Sequence, residues 1–128
     1  MRRAILSSVL LSLATLLVMA QDPVKVDPQH HKVDLENDQV RVLRWKIAPH
    51  EKSAMHEHPA NVVVFLTDAD IKFTFPDGKT AERHAKVGQV ISGAPVKHAA
   101  ENIGDKPIEL VQIELKAKPA GPEPEKKY

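Results

Sequence analysis

The chain reads Ala-Pro-His-Glu-Lys-Ser-Ala-Met-His-Glu-His-Pro over residues 48–59. One residue, Glu57, separates His56 from His58. If this segment is a strand, alternate side chains point to the same face, so both imidazoles project together and Glu57 points away. Two imidazoles on one strand face can share a metal ion if another strand supplies a third ligand. His98 is the natural candidate, because it lies in a second short apolar run that follows Gly93-Ala94-Pro95.

The rest of the chain carries short apolar runs separated by turn residues about every ten positions. The candidate strands are residues 40–47, 61–67, 71–75, 80–86, 89–91, 96–100 and 108–115, with a tight turn at 76–79. No segment after residue 20 has a clear 3.6-residue apolar period. Short strands at regular spacing with Gly and Pro turns predict an all-β sandwich or barrel.

Both ends differ in composition from the middle. Residues 1–20 have a basic start, an apolar centre and small residues at Val18 and Ala20, the pattern of a cleaved secretory signal peptide. Because this run is short and rich in hydroxyl groups, we expect no stable membrane anchor after cleavage and a secreted or periplasmic location. Residues 21–32 are expected to form an extended N-terminal arm, 33–115 the barrel domain, and 116–128 a disordered tail rich in Pro, Glu and Lys.

Charge and cysteine content exclude several classes of function. Without Arg2 and Arg3, 16 Lys and Arg stand against 17 Asp and Glu, which changes the formal net charge from +1 to −1. A nucleic-acid partner is not expected, because such binding needs a concentrated basic face. The chain has no cysteine, so disulfides, thiolate catalysis and thiolate metal sites are excluded. Seven histidines remain as the candidate metal ligands and proton carriers.

Two stretches resemble the motifs of the cupin superfamily. Residues 48–59 are similar to the first cupin motif, in which a turn residue precedes H-x-H by six positions. Residues 88–102 are similar to the second, with Gly88 at its start, His98 in the ligand position and Asn102 four residues later. The resemblance implies a small antiparallel β-barrel of the double-stranded β-helix, or jelly-roll, type. It also implies that His56, His58 and His98 face the barrel interior as metal ligands.

The sequence departs from the cupin pattern at three places. His50 stands where a glycine often opens the first motif, and Gly93 and Pro95 stand where the second has proline and glycine. The usual carboxylate ligand is replaced by Val62 or Val63, which cannot coordinate a metal. Three neutral imidazoles would then hold a divalent ion (Fe, Mn, Zn, Ni or Cu) and leave positions open for water or substrate. Some cupins, including thiol dioxygenases, work with three histidines.

Two further polar residues are candidates for roles near such a metal. His50 follows Pro49 in the loop before the ligand strand, where it either overhangs the barrel mouth as a proton carrier or is a solvated loop histidine. Gln112 lies with Glu114 on the face of the last strand opposite Val111 and Ile113. If that face is the inner one, Gln112 lies near the metal; otherwise it is exposed to solvent.

The sequence therefore predicts a cupin that binds a divalent metal and a small-molecule ligand or substrate. Its activity, if enzymatic, would be metal-dependent oxidation or isomerisation of a small organic molecule. Two alternatives stay open: a non-catalytic barrel that holds a ligand or metal without turnover, and a structural interaction protein that forms a homodimer through a barrel edge.

Overall fold

A computed structural model describes residues 21–117 of the 128-residue chain. The predicted signal peptide at residues 1–20 lies outside the described residues, as does the predicted tail except for residues 116 and 117. Cleavage, cellular location and disorder of the tail therefore stay predictions.

The described residues form one short helix and nine strands. These are α1 (Pro23–Val26), β1 (His31–Glu36), β2 (Val40–Ile47), β3 (His56–His58), β4 (Asn61–Phe65), β5 (Ala69–Thr74), β6 (Thr80–Ala85), β7 (Val90–Gly93), β8 (Val96–Asn102) and β9 (Ile108–Leu115). No helix within residues 21–117 is long and apolar enough to cross a membrane.

The strands form two antiparallel sheets. One has the order β1-β2-β9-β4-β7 and the other β3-β8-β5-β6. Neighbours in a sheet are often distant in sequence, since β9 lies between β2 and β4 and β8 lies between β3 and β5. The prediction of an all-β antiparallel fold is confirmed.

The core lies between the inner faces of the two sheets. On β4 the residues Asn61, Val63 and Phe65 are buried, while Val62 and Val64 are half-buried. The same alternation on β9 buries every second residue from Ile108 to Glu114. Period-two burial of this kind is what a sheet with one covered face produces. It places Phe65 and Leu110 in the apolar centre and polar residues toward one end.

The N-terminal segment takes part in the fold more fully than an extended arm would. Residues 23–26 form α1, whose start is capped by Asp22, with a side-chain oxygen that accepts a hydrogen bond from Val24 N at 2.9 Å. The first two residues of β1 also belong to this segment, and His31 pairs with Trp45 of β2. The reason is tertiary: β1 adds to an existing sheet edge, and composition alone does not reveal that pairing.

His50 and Asn102 explain one cupin motif position. His50 has φ 63°, a left-handed conformation that glycine adopts without strain, and this accounts for the glycine often found there. The turn is held by its amide, which donates to Asn102 O at 2.9 Å. The Asn102 side chain is fully buried and donates to Lys106 O at 2.8 Å, while it accepts from Gly104 N at 3.0 Å.

We predict that Asn102→Ala lowers the free energy of unfolding by about 2–3 kcal/mol. The substitution leaves buried backbone groups of two loops without their partner. Urea unfolding of the variant and wild type measures this directly. Asn37→Ala serves as a control, since Asn37 also accepts backbone hydrogen bonds in a turn but is exposed. Equal loss of stability in the two variants would contradict the prediction.

Candidate metal centre

Three buried histidines converge at the polar end of the barrel. His31, His56 and His58 each offer one ligand atom, and these atoms all lie within 4.8 Å of one another. Their exposed fractions are only 3%, 1% and 4%. A group of three imidazoles at this spacing can hold one metal ion.

Strand pairing brings these residues together from distant parts of the chain. His56 and His58 lie two residues apart on the inner face of β3, as alternation predicted. The β3–β8 register sets His56 directly opposite His98. His31 lies on β1, in the other sheet, so residues of both sheets form the cluster.

His98 lies beside the three-histidine group. Its ring centroid is 5.0 Å from that of His56 and 5.5 Å from that of His58, and its other side stacks on Phe73 at 4.8 Å. No hydrogen bond to its side chain is found within residues 21–117. The predicted trio of His56, His58 and His98 is therefore close together, and His31 is a fourth imidazole beside it.

Each imidazole of the group has one nitrogen held by an acceptor. Nδ1 of His56 lies 2.7 Å from Ala54 O, and Nδ1 of His58 lies 2.8 Å from Glu114 Oε1. Nδ1 of His31 lies 3.3 Å from Asp27 O. A proton on Nδ1 that is donated to these acceptors leaves the Nε2 lone pair free, which is the tautomer that a metal ligand needs.

Buried carboxylates stand behind two of the histidines. Glu114, 4% exposed, contacts His58 and also accepts from Arg41 Nε at 2.9 Å, while Arg41 Nη1 donates to Asp22 at 2.6 Å. Asp27, 5% exposed, has a carboxylate oxygen 3.3 Å from His31 Nδ1. Both Asp22 and Asp27 come from the N-terminal segment. That segment therefore supplies one imidazole and two supporting carboxylates.

Burial keeps His31, His56 and His98 neutral near pH 7. Desolvation lowers the pKa of His31 to about 3, of His56 to about 4 and of His98 to about 3, and repulsion between neighbouring imidazoles adds to this. Burial acts to raise the pKa of Glu114, but hydrogen bonds from His58 and Arg41 lower it overall. Neutral imidazoles backed by an ionised carboxylate are the state that binds a cation.

The cluster opens into a cavity of about 380 Å³ between the sheets. Gln112 lines the cavity and is 7% exposed. The face of β9 that carries Gln112 and Glu114 is therefore the inner one, which was one of the two alternatives left open by the sequence. Val63, directly opposite Gln112, also lines it and confirms that no carboxylate stands at that position. Trp45 completes this wall. Its Nε1 is buried and has no hydrogen-bond partner among the described residues.

Three other histidines of the described part of the chain lie elsewhere. His30 lies within hydrogen-bond distance of Asp27 (2.8 Å) and Glu51 (2.9 Å) and does not line the cavity. His50 is exposed and does not line the cavity; its Nε2 is 3.3 Å from Asp105 Oδ1. The position therefore gives no support to a role for His50 at the barrel mouth. His84 is exposed on β6, with Nδ1 2.6 Å from Asp70 Oδ1.

Sequence reasoning missed His31 and Asp27 as members of the site, and it missed the contact of Glu114 with His58. His31 falls within residues 21–32, which the sequence predicted to form an extended arm outside the barrel domain. A signal was present, because His31, Val33 and Leu35 alternate with Lys32 and Asp34 in the manner of a strand. Asp27 carries no comparable signal, since its contact with His31 depends on the turn after α1.

We predict that the metal-free protein loses stability as pH falls from 6.5 to 4. The folded-state pKa values of His31, His56 and His98 lie well below 6.5, so the unfolded chain binds more protons in this window. Each histidine contributes a loss of about 2–3 kcal/mol at the lower end. Urea unfolding of chelator-treated protein at several pH values measures the slope.

Two glutamine variants test the origin of this slope. His98→Gln removes one buried titrating group and is expected to make the pH dependence shallower, whereas His84→Gln alters an exposed residue and is expected to leave it unchanged. The same slope in both variants would show that the buried cluster is not its source.

Comparison with known proteins agrees with this architecture. No model of a known protein family matches the sequence. The beta-alanine degradation protein BauB of Pseudomonas aeruginosa is 33% identical over 88 residues, which cover 66% of this chain and 90% of BauB. A cupin domain from Bordetella pertussis Tohama I superposes with a TM-score of 0.63 at 27% identity, covering 68% of this chain and 92% of that one. A double-stranded β-helix protein from Klebsiella pneumoniae has a TM-score of 0.53 at 23% identity, covering 69% and 84%.

The solved structures share the double-stranded β-helix that residues 48–59 and 88–102 predicted, and the sequence match to BauB extends over nearly all of that protein. The chain belongs to the cupin superfamily, in the same family as BauB.

Proposed function

We propose that this protein binds one divalent transition-metal ion through His31, His56 and His58, with His98 beside them as a further ligand. The observation that carries the proposal is the hydrogen bonding of Nδ1 on the first three residues, to Asp27 O, Ala54 O and Glu114. Anchored imidazoles of this kind are typical of metal ligands. With Nδ1 of each ring at an acceptor, the three rings leave the same nitrogen, Nε2, free for a metal.

The donor set selects the class of metal. Neutral imidazoles suit Fe, Zn, Ni and Cu and are poor ligands for Mg or Ca; Mn, which prefers oxygen donors, is the weaker candidate of the predicted five. Since no carboxylate belongs to the set, a divalent ion keeps its full charge there. Such an ion would supply Lewis-acid or oxygen-activating chemistry.

The cavity supports a second step of the proposal, which is metal-dependent oxidation or isomerisation of a small organic molecule. Its volume of about 380 Å³ suits a small ligand. Phe65, Phe73 and Leu110 line it and keep bulk water from the buried rings. The Gln112 amide on the inner face can accept and donate hydrogen bonds and so orient a bound molecule.

We predict that His31→Ala and His56→Ala each lower metal affinity at least about tenfold, because each removes an imidazole from the centre. Metal content of the untagged protein by elemental analysis, and the rise in melting temperature on adding Fe(II), Mn(II), Ni(II), Cu(II) or Zn(II), measure this. His98→Ala in the same series tests whether that ring coordinates as well. His84→Ala is the matched control, since it removes an exposed histidine from the same chain.

The outcomes separate three cases. Loss of metal in the cluster variants with retention in His84→Ala supports the site. Equal metal content in all variants, with no stabilisation of wild type by any of the five ions, would rule it out. Retention in His31→Ala together with loss in His98→Ala would return the site to His56, His58 and His98, the set that the motif resemblance implies.

We predict that the loaded protein turns over a small organic substrate. Because the relative BauB is named for β-alanine degradation, the panel includes β-alanine and related small acids beside thiols, diketones and phenols. Oxygen uptake detects oxidation, and NMR of the products detects isomerisation, which leaves the molecular mass unchanged. His56→Ala is expected to abolish either activity. Metal binding without turnover of any compound would support the non-catalytic alternative, a barrel that holds a ligand or metal.

A further inference from the structure

The cavity that leads to the histidine cluster carries no negative charge. Among the described residues that line it there is no aspartate or glutamate, and the one fully charged side chain is Arg83. The carboxylates of Asp27 and Glu114 stand behind the histidines, outside this lining. The lining itself therefore contributes one full positive charge and no negative charge.

Strand register places Arg83 on the inner face of β6. It lies opposite Ile71 of β5, which is 1% exposed and belongs to the core. Arg83 itself is exposed, because β6 is the edge of its sheet and the guanidinium lies at the rim of the cavity. An arginine that faces inward at an open rim can reach a molecule that occupies the cavity.

Arg83 also differs from the other arginines of residues 21–117. Arg41 pairs with Asp22 and Glu114, and Arg44 pairs with Asp34 and Glu109. No carboxylate of the described residues lies within ion-pair distance of Arg83. Its five N–H donors are free, in the fork geometry that matches a carboxylate.

The space between Arg83 and the histidines is apolar. Along β8, His98 and Asn102 are four residues apart, and Arg83 lies in the same row as Asn102 but two strands away. The backbones of His98 and Arg83 are therefore separated by about 13 Å along the strands and by about 10 Å across them. Phe73, Phe75 and Ile91 line the cavity and offer aromatic and aliphatic surface. The arginine stem covers part of the distance, and an elongated ligand covers the rest.

We propose that the cavity binds small organic carboxylates, with the carboxylate on Arg83 and the apolar body against Phe73, Phe75 and Ile91. The other end of the ligand then lies at the histidine cluster, and this last element rests on the proposed metal centre. A carboxylate ligand explains together the unpaired inward arginine, the absence of acidic lining residues and the apolar wall. Arg83 determines specificity for the anion and takes no part in holding the metal.

Binding of 3-phenylpropionate and of its neutral amide, measured by isothermal titration calorimetry, tests the proposal. The two probes share a ring that suits the aromatic wall and differ only in charge. Wild type is expected to bind the acid about fivefold to tenfold more tightly than the amide, as one rim-exposed arginine–carboxylate pair allows. Arg83→Gln is expected to bind both probes equally. Lys79→Gln is the matched control, since it removes one positive charge from an exposed site outside the cavity.

Several results would overturn the proposal: no binding of either probe, equal affinity of wild type for acid and amide, or equal weakening by Arg83→Gln and Lys79→Gln. Measurements on Zn(II)-loaded and chelator-treated protein separate it from the metal proposal. Discrimination that depends on Arg83 in a protein that retains no metal would leave the carboxylate site standing without the metal centre. Metal binding without discrimination between acid and amide would leave the metal centre standing without the carboxylate site.

Discussion

The inward face of β9 determines which end of the barrel interior is apolar and which end is polar. From Ile108 to Glu114 its inner residues change from Ile and Leu to Gln and Glu, and all four are buried. Because β9 pairs with both β2 and β4, this gradient is imposed on the whole sheet. A slip of one residue would turn Glu114 outward and bury Val111 and Ile113 in its place, so His58 would lose its acceptor.

Burying this polar end is costly unless every member has a partner. Glu114 has two, His58 on one side and Arg41 on the other, and Arg41 is in turn held by Asp22. Removal of any one partner leaves a charge or a donor in a region from which water is excluded. The barrel therefore holds an imidazole cluster in a defined orientation, at the expense of stability that a wholly apolar core would retain.

The sequence predicted most of the fold because its information is local. The runs at 40–47, 61–67, 71–75, 80–86 and 108–115 all contain strands, and the parity of His56 and His58 follows from alternation within one strand. The local pattern does not show which of the two faces of a strand points into the barrel. Gln112 and Glu114 were known to share a face, but only the pairing of β9 between β2 and β4 makes it the inner one. His31 required the same long-range information, since its contacts with His56 and Trp45 depend on β1 joining the sheet edge.

The valine at the position expected for a carboxylate changes the charge of the site. Val63 faces the cavity and His31 belongs to the histidine group, so the described residues contribute an additional neutral ligand and no negative one. A divalent ion held there would keep its two positive charges, to which Arg83 adds a third at the rim. A site of that charge favours an anionic guest, because opposite charges attract and a carboxylate matches the arginine donors. The absence of a carboxylate ligand and the unpaired Arg83 then have one explanation: the bound molecule supplies the negative charge.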